Sequence, residues 1–128
     1  MLTVFVADDS DPIRARLSTL IAEVGDAELI GEATNAQEVL DTIPHLKPDV
    51  LILDIRMPGG NGIQALDAIR EVKVDPVVII LTAFPYPQYR RKCLESGADF
   101  FFDKSTEFEQ VGEVLMELTR GQIGIRNR

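Results

Sequence analysis

Residues 50–62 read VLILDIRMPGGNG, in which four consecutive apolar residues are followed at once by an aspartate, Asp54. A short run of apolar residues with no polar alternation is typical of a strand that is covered on both faces of a sheet. This segment therefore predicts a short buried strand with a carboxylate at its carboxyl end.

Similar apolar runs recur along the chain, and stretches with the apolar spacing of a helix separate them. The predicted strands are 2–7, 28–33, 50–53, 77–81 and 100–102. Strands that alternate with helices indicate parallel pairing through right-handed crossovers, with helices on both faces of the sheet. We therefore predict an α/β fold: a flavodoxin-like, doubly wound sheet of five parallel strands with five helices. The strand order 2-1-3-4-5 fits best, because Glu28, Gly31 and Glu32 suit the second strand to an edge.

Polar residues and glycines mark the ends of the predicted helices. The predicted N-caps are Asp11 for the first helix, Thr34 or Asn35 for the second, and Thr106 for the fifth. Gly25 and Gly97 stand where the first and fourth helices need a left-handed residue. The fourth helix, at about residues 88–96, has the weakest pattern, since only Cys93 and Leu94 mark a buried face.

Composition excludes several classes of protein. The formal net charge of −8 disfavours direct binding of nucleic acid. No apolar run approaches the ~18–20 residues of a membrane span, and the N-terminus does not resemble a signal peptide, so a cytoplasmic location is expected. Cys93 and His45 are the only residues of their kinds, which excludes an internal disulfide, the usual zinc spacings and a histidine-based nucleophilic site.

Polar side chains follow four of the predicted strands. Asp8 and Asp9 end the first strand, Asp54 the third, Thr82 the fourth and Lys104 the fifth. In a parallel sheet these strand ends lie at the same edge, so the side chains should meet there. Three carboxylates in one crevice repel each other by several kcal/mol, roughly 4 kcal/mol per pair at ~4 Å, and such a cluster raises a pKa or recruits a cation. An all-oxygen acidic site with access to water suits Mg²⁺.

Four segments at these strand ends carry a specific resemblance. They are VFVADDS at 4–10, LILDIRMPGGNG at 51–62, VVIILTA at 77–83 and GADFFFDKS at 97–105. The sequence resembles the receiver domains of two-component response regulators, including the single-domain chemotaxis regulators, from about residue 2 to residue 118. The expected domain is 1–120, with a C-terminal tail at 121–128.

The resemblance implies an aspartyl-phosphate chemistry that depends on a metal. Asp54 would be the phosphoacceptor and nucleophile. Asp9, Asp54 and the backbone carbonyl of Arg56 would hold Mg²⁺, or alternatively Mn²⁺, and Asp8 would act mainly through a metal-bound water. A receiver of this kind is not a classical enzyme, but it would catalyse its own phosphorylation and dephosphorylation.

The remaining site roles follow from the same resemblance. Lys104 would contact the transferred phosphoryl oxygens, and Thr82 with the backbone N–H of Ala83 would bind that group in the product. Phe101 falls at the position of the switch aromatic, alongside Thr82. Arg56 and Phe84 border the site, and their bulk is expected to slow attack of water on the phosphoaspartate.

The implied partners are a sensor histidine kinase or a histidine phosphotransfer protein as donor, and a downstream protein that binds the face of the fourth helix, fifth strand and fifth helix. A phosphorylation-dependent dimer is also compatible with this scheme. The chain is expected to be a stand-alone receiver; the alternatives are a receiver fragment of a longer DNA-binding regulator and an interaction module that is never phosphorylated. A flavodoxin-like cofactor binder would need a Gly/Ser/Thr-rich phosphate loop where Asp8 and Asp9 stand, and an aspartyl-phosphate phosphatase would need a D-x-D spacing that begins at its nucleophile.

Overall fold

The apolar runs pair into one parallel sheet, and the intervening helices pack on its two faces. The computed structural model describes residues 1–124. The strands are β1 Leu2–Ala7, β2 Ala27–Ala33, β3 Val50–Leu53, β4 Arg56–Met57, β5 Gly60–Asn61, β6 Val77–Thr82 and β7 Phe100–Asp103. The helices are α1 Asp11–Val24, α2 Ala36–Leu46, α3 Gly62–Glu71, α4 Pro87–Glu95 and α5 Phe108–Thr119. None of the helices within this range is long and apolar enough to cross a membrane.

The main sheet has the order β2-β1-β3-β6-β7, and all its neighbouring strands are parallel. This confirms the predicted flavodoxin-like order 2-1-3-4-5, because the two extra strands lie outside the sheet. β4 and β5 form a small antiparallel hairpin directly after Asp54. No sequence pattern predicted this hairpin. Its turn consists of Pro58 and Gly59, and Gly59 and the first residue of β5, Gly60, have φ values of +78° and +147°.

The sheet is buried on both faces, so each strand contributes alternate side chains to two separate apolar clusters. One cluster contains Phe5, Leu51 and Ile80 and is covered by α2, α3 and Cys93 of α4. The other is covered by α1 and α5 and contains Val4, Val6, Ile52 and Ile79. A shift of one residue in any strand would exchange the two faces, so the register is strongly determined. The carboxyl ends of the central strands are therefore held level with one another.

The helix caps agree with the sequence analysis only in part. Asn35 caps α2, as one of the two predicted alternatives, because its side chain accepts from Glu38 N. The predicted cap Asp11 is wrong: Ser10 caps α1 through a bond from Ile13 N, and the Asp11 carboxylate pairs with Arg14. The predicted cap of α5 is also wrong, since the helix begins after Glu107, without a side-chain cap. The predicted left-handed glycines are confirmed, with φ of +91° at residue 25 and +96° at residue 97.

Candidate functional site

The register of the sheet places Asp8 beside Asp54. Ala7 and Leu53 are partners in the β1–β3 pairing, and the next residue of each strand is an aspartate. The backbone N–H of Asp54 donates to the Ala7 carbonyl at 2.9 Å, which holds the two strand ends together. Side-chain burial is almost complete at both carboxylates, at 3% exposure for Asp8 and 6% for Asp54.

Lys104 bridges these two carboxylates from the end of β7. Its Nζ lies 2.7 Å from Asp8 Oδ2 and 3.0 Å from Asp54 Oδ2. Its backbone N–H donates to the Thr82 carbonyl at 2.9 Å, so the lysine is anchored to the end of the neighbouring strand β6. The ammonium group of Lys104 thus joins two carboxylates that are 46 positions apart in the sequence.

Asp9 completes an acidic cluster with Asp8 and Asp54. Each of the three offers a carboxylate oxygen, and these oxygens lie within 4.8 Å of one another. Asp9 is exposed, which gives the cluster access to water. Asp54 Oδ1 is buried and is the one such side-chain atom in residues 1–124 that has no hydrogen-bond partner. A buried carboxylate oxygen without a donor, beside two further carboxylates, fits a divalent cation with oxygen ligands.

Burial dominates the electrostatics of Asp54. Loss of hydration raises the pKa of its carboxyl to about 6; the positive charge of Lys104 opposes this shift, and the negative charge of Asp8 adds to it. Burial alone would lower the pKa of Lys104, but its hydrogen bond to Asp8 and the charges of Asp54 and Asp8 raise it above its usual value. The ammonium group therefore stays charged, and the carboxylate it faces is high in energy without a further cation.

The other predicted site residues lie at or near the same edge. Thr82 is fully buried at the end of β6, where its Oγ1 accepts from Phe84 N at 3.0 Å, and Ala83 follows it at the surface. Arg56 is exposed in β4. Phe101 is not in the acidic cluster: it lies on β7 with 6% exposure, within the apolar cluster beneath α4.

The family model of the response regulator receiver domain matches residues 4–116, which is most of the chain. This chain belongs to that family. It is a receiver domain of the two-component response regulators, as the four sequence segments predicted.

Individual relatives agree with this assignment. The transcriptional regulatory protein DesR of Bacillus subtilis is 28% identical over 95% of this chain and 60% of its own length. The response regulator domain of Thermotoga maritima CheB is 31% identical, with a TM-score of 0.83 over 97% of this chain and 98% of that domain. A chain of the CheX-CheY-BeF3-Mg²⁺ complex of Borrelia burgdorferi is 28% identical, with a TM-score of 0.75 over 89% of each chain. The receiver domain described here spans about half to three-fifths of the length of the curated relatives it matches.

Two residues that the sequence analysis missed hold Asp8 of the receiver domain in place. Arg14 Nη1 donates to the Asp8 carbonyl at 2.7 Å, and the backbone N–H of Ser10 donates to Asp8 Oδ1 at 2.9 Å. Arg14 also pairs with Glu32 of β2 at 3.3 Å. No sequence motif predicts the contact between Asp8 and Arg14, because it depends on the orientation of α1 relative to the end of β1.

Gly62 of the receiver domain packs against the backbone of Asp54 and Ile55 at the start of α3. Its N–H donates to the Ile55 carbonyl at 2.6 Å, and a Cβ at this position would lie closer to the Asp54 carbonyl oxygen than van der Waals radii allow. Backbone atoms cannot move aside as a flexible side chain can. Gly62→Ala should therefore lower the free energy of unfolding by at least about 2 kcal/mol in urea denaturation.

Gly124→Ala is the matched control, because a Cβ at residue 124 would meet open space. Its unfolding free energy should stay within about 0.5 kcal/mol of the wild type. Equal stability of the two variants would contradict the close approach at residue 62.

Proposed function

We propose that this receiver domain takes a phosphoryl group onto Asp54 from the phosphohistidine of a sensor histidine kinase or histidine phosphotransfer protein. The observation that supports this most is the state of the Asp54 carboxylate. One oxygen is paired with Lys104, and the other is buried without a partner beside Asp8 and Asp9. The test is transfer of labelled phosphoryl from a phosphorylated histidine kinase to the wild type and to Asp54→Asn.

Mg²⁺ would be held by Asp9, Asp54 and the backbone carbonyl of Arg56, with Asp8 acting through a water ligand; Mn²⁺ would be accepted too. The three carboxylates supply the hard oxygen donors that these ions prefer, and the exposure of Asp9 leaves room for water. When bound, the ion would offset the negative charge of the phosphoryl oxygens. The similarity to a chain of the CheX-CheY-BeF3-Mg²⁺ complex of Borrelia burgdorferi adds support.

In the proposed transfer, a carboxylate oxygen of Asp54 attacks phosphorus in line with the bond to the donor imidazole. The P–N bond breaks, its electron pair stays on the imidazole, and Asp54 becomes an acyl phosphate. Lys104 stays protonated, neutralises charge on the transferred oxygens and holds the group in place. Thr82 Oγ1 and the Ala83 N–H would donate to that group in the product. Water later attacks phosphorus, releasing inorganic phosphate and regenerating the Asp54 carboxylate.

Phosphorylation would then change how the receiver, proposed here as residues 1–120, presents itself to a downstream protein. Thr82 and Phe101 are the proposed switch pair, and they lie on the adjacent strands β6 and β7. A rearrangement of Thr82 toward a phosphoryl group would free space beneath α4 and bias the packing of the α4, β7 and α5 face. Partner binding, or a phosphorylation-dependent dimer, would read that face.

Phe84 is expected to lengthen the life of the phosphoaspartate. Its half-buried ring carries the Arg56 guanidinium at 4.0 Å from the ring centroid, so the two side chains together cover the approach from the Thr82 loop. Removing the ring admits water but keeps the backbone N–H that bonds Thr82. Phe84→Ala should therefore speed loss of the phosphoryl group by roughly fivefold, or about 1 kcal/mol of activation free energy.

Decay is followed by label retained on the protein after the donor is removed. Leu94→Ala, which shortens an exposed apolar side chain on α4, is the control and should decay at the wild-type rate. Unchanged decay in Phe84→Ala would count against shielding by this ring.

A further inference from the structure

The first turn of α4 has few local anchors. The N-cap side chains of α1, α2 and α3 each accept a hydrogen bond from the helix, whereas Tyr86 at the start of α4 makes no such bond. The N-cap of α5 makes none either, but α5 buries six of its residues. The first turn also carries no acidic residue, and Cys93 is the only buried residue of the helix. Local capping and apolar burial therefore contribute little to holding this end of α4 on the sheet.

Arg56, two residues after Asp54, supplies an anchor for this turn. Arg56 Nη2 donates to the hydroxyl of Tyr89 at 3.1 Å, and the guanidinium lies 5.9 Å from the Tyr89 ring and 4.0 Å from the Phe84 ring. Tyr89 packs in turn against the apolar cluster beneath α4. Arg56 thus connects a loop that begins at Asp54 with the first turn of α4.

The contact between Arg56 and Tyr89 is weak enough to break and re-form. Arg56 is exposed and Tyr89 is half-buried, and a neutral hydroxyl is a modest partner for a guanidinium. A phosphoryl group on Asp54 would bring about −2 charge to a residue only two positions from Arg56. A phosphoryl group carries full negative charge and often accepts two parallel hydrogen bonds from arginine, whereas the neutral Tyr89 hydroxyl accepts one. The guanidinium would then have a better partner than Tyr89.

We propose that Arg56 is a positioning residue that links the state of Asp54 directly to α4: it holds Tyr89 in the unphosphorylated receiver and leaves it for the phosphoryl group. This rests on the proposed phosphorylation of Asp54. It differs from the Thr82 and Phe101 switch, because it reaches α4 through the segment after β3 and not through β6 and β7. The β7 side has its own contact, in which Arg90 Nη1 donates to the Phe101 carbonyl at 3.4 Å.

The test compares Tyr89→Phe with Tyr86→Phe. The first change removes the hydroxyl that Arg56 binds; the second removes a hydroxyl from the neighbouring ring, 5.7 Å away, and is the matched control. Amide hydrogen exchange of α4 is measured by NMR in the absence of phosphodonor and under excess acetyl phosphate with Mg²⁺. Intact mass reports in each sample what fraction has gained a phosphoryl group.

In the unphosphorylated state, Tyr89→Phe should raise exchange in the first turn of α4 about fivefold over the wild type and Tyr86→Phe, a factor equal to about 1 kcal/mol. Phosphorylation should raise exchange by a similar factor in the wild type and in the control, and should add nothing further in Tyr89→Phe. If Tyr89→Phe responds to phosphorylation as fully as the wild type, the coupling is overturned while the proposed function stands. A wild type that gains no phosphoryl mass from acetyl phosphate or from a phosphorylated histidine kinase overturns both.

Tyrosine emission gives an independent readout. The chain has no tryptophan and only two tyrosines, so Tyr86→Phe leaves Tyr89 as the single emitter. Its emission should change on phosphorylation and return as the phosphoryl group is lost. Adding Arg56→Met to this background keeps the backbone carbonyl but removes the guanidinium, and should abolish the change at equal phosphoryl mass. A change that persists without the guanidinium would contradict the proposed link between Arg56 and Tyr89.

Discussion

Asp54→Asn will accept no detectable phosphoryl group from a phosphorylated histidine kinase or from acetyl phosphate, while the protein remains folded. The amide lacks the anionic oxygen that attacks phosphorus and is a poor ligand for a divalent ion. Transfer of label to the protein, read by gel autoradiography or intact mass, measures this. Asp26→Asn is the control, because Asp26 is an exposed aspartate remote from the site, and it should accept label as the wild type does.

Asp54→Asn should also be more stable than the wild type when metal is absent. The pKa of Asp54 rises from 3.8 to about 6 on folding, so the stability contributed by its bound proton is lost as pH rises through 6. Above that pH the ionised, buried carboxylate costs roughly 3 kcal/mol, which the neutral amide does not. Thermal unfolding at about pH 8 in chelator should show a higher Tm for Asp54→Asn. In the transfer experiment, phosphoryl label on Asp54→Asn would overturn the assignment of Asp54 as the phosphoacceptor.

The affinity for Mg²⁺ should depend strongly on pH, because the ion and a proton compete for Asp54. Above pH 6 the carboxylate is already ionised, and the apparent affinity should be nearly constant. Below pH 6 each ion bound displaces a proton from Asp54, so the affinity should fall by up to about tenfold for each pH unit. Calorimetric titration with Mg²⁺ between about pH 5 and pH 8 measures both the affinity and the proton release.

Asp54→Asn serves as the reference for this titration too. It should bind Mg²⁺ more weakly, and the part of the pH dependence centred near 6 should disappear. Equal wild-type affinities at the two ends of the pH range would show that the ion does not bind at Asp54.

Much of the site was predictable because its residues stand at strand ends. Asp54 and Thr82 follow continuous apolar runs, and alternation of strands with helices requires those runs to be parallel. Burial of both sheet faces fixes the register of the strands. Neighbouring strands therefore end side by side, although no sequence motif links their ends. That is why the sequence alone places Asp8 and Lys104 together although they are almost a hundred residues apart, and the structure confirms their contact.

Local features at the same edge were predicted less well. Asp11 is the predicted cap of α1, but Ser10 and Asp11 are both good capping residues; in the structure Asp11 pairs with Arg14 and Ser10 caps the helix. Thr106 failed for a related reason, since the turn before α5 is held by bonds from the backbone N–H groups of residues 103 and 105 to nearby carboxylates. The β4–β5 hairpin is too short for a pattern of period two to reveal it.

The sequence by itself determined the parallel sheet and the set of charged residues at its carboxyl edge, because strands that alternate with helices pair in parallel and end at the same edge. It favoured the observed strand order through the charged residues of the second strand, and the structure established that order. Only the tertiary structure decided which atoms meet at that edge. Whether Asp54 Oδ1 keeps a partner, and whether Arg56 reaches Tyr89 33 residues away, depends on the paths of loops whose sequences contain no periodic signal. Loop paths are set by packing against distant parts of the chain, and that information exists only once the sheet has formed.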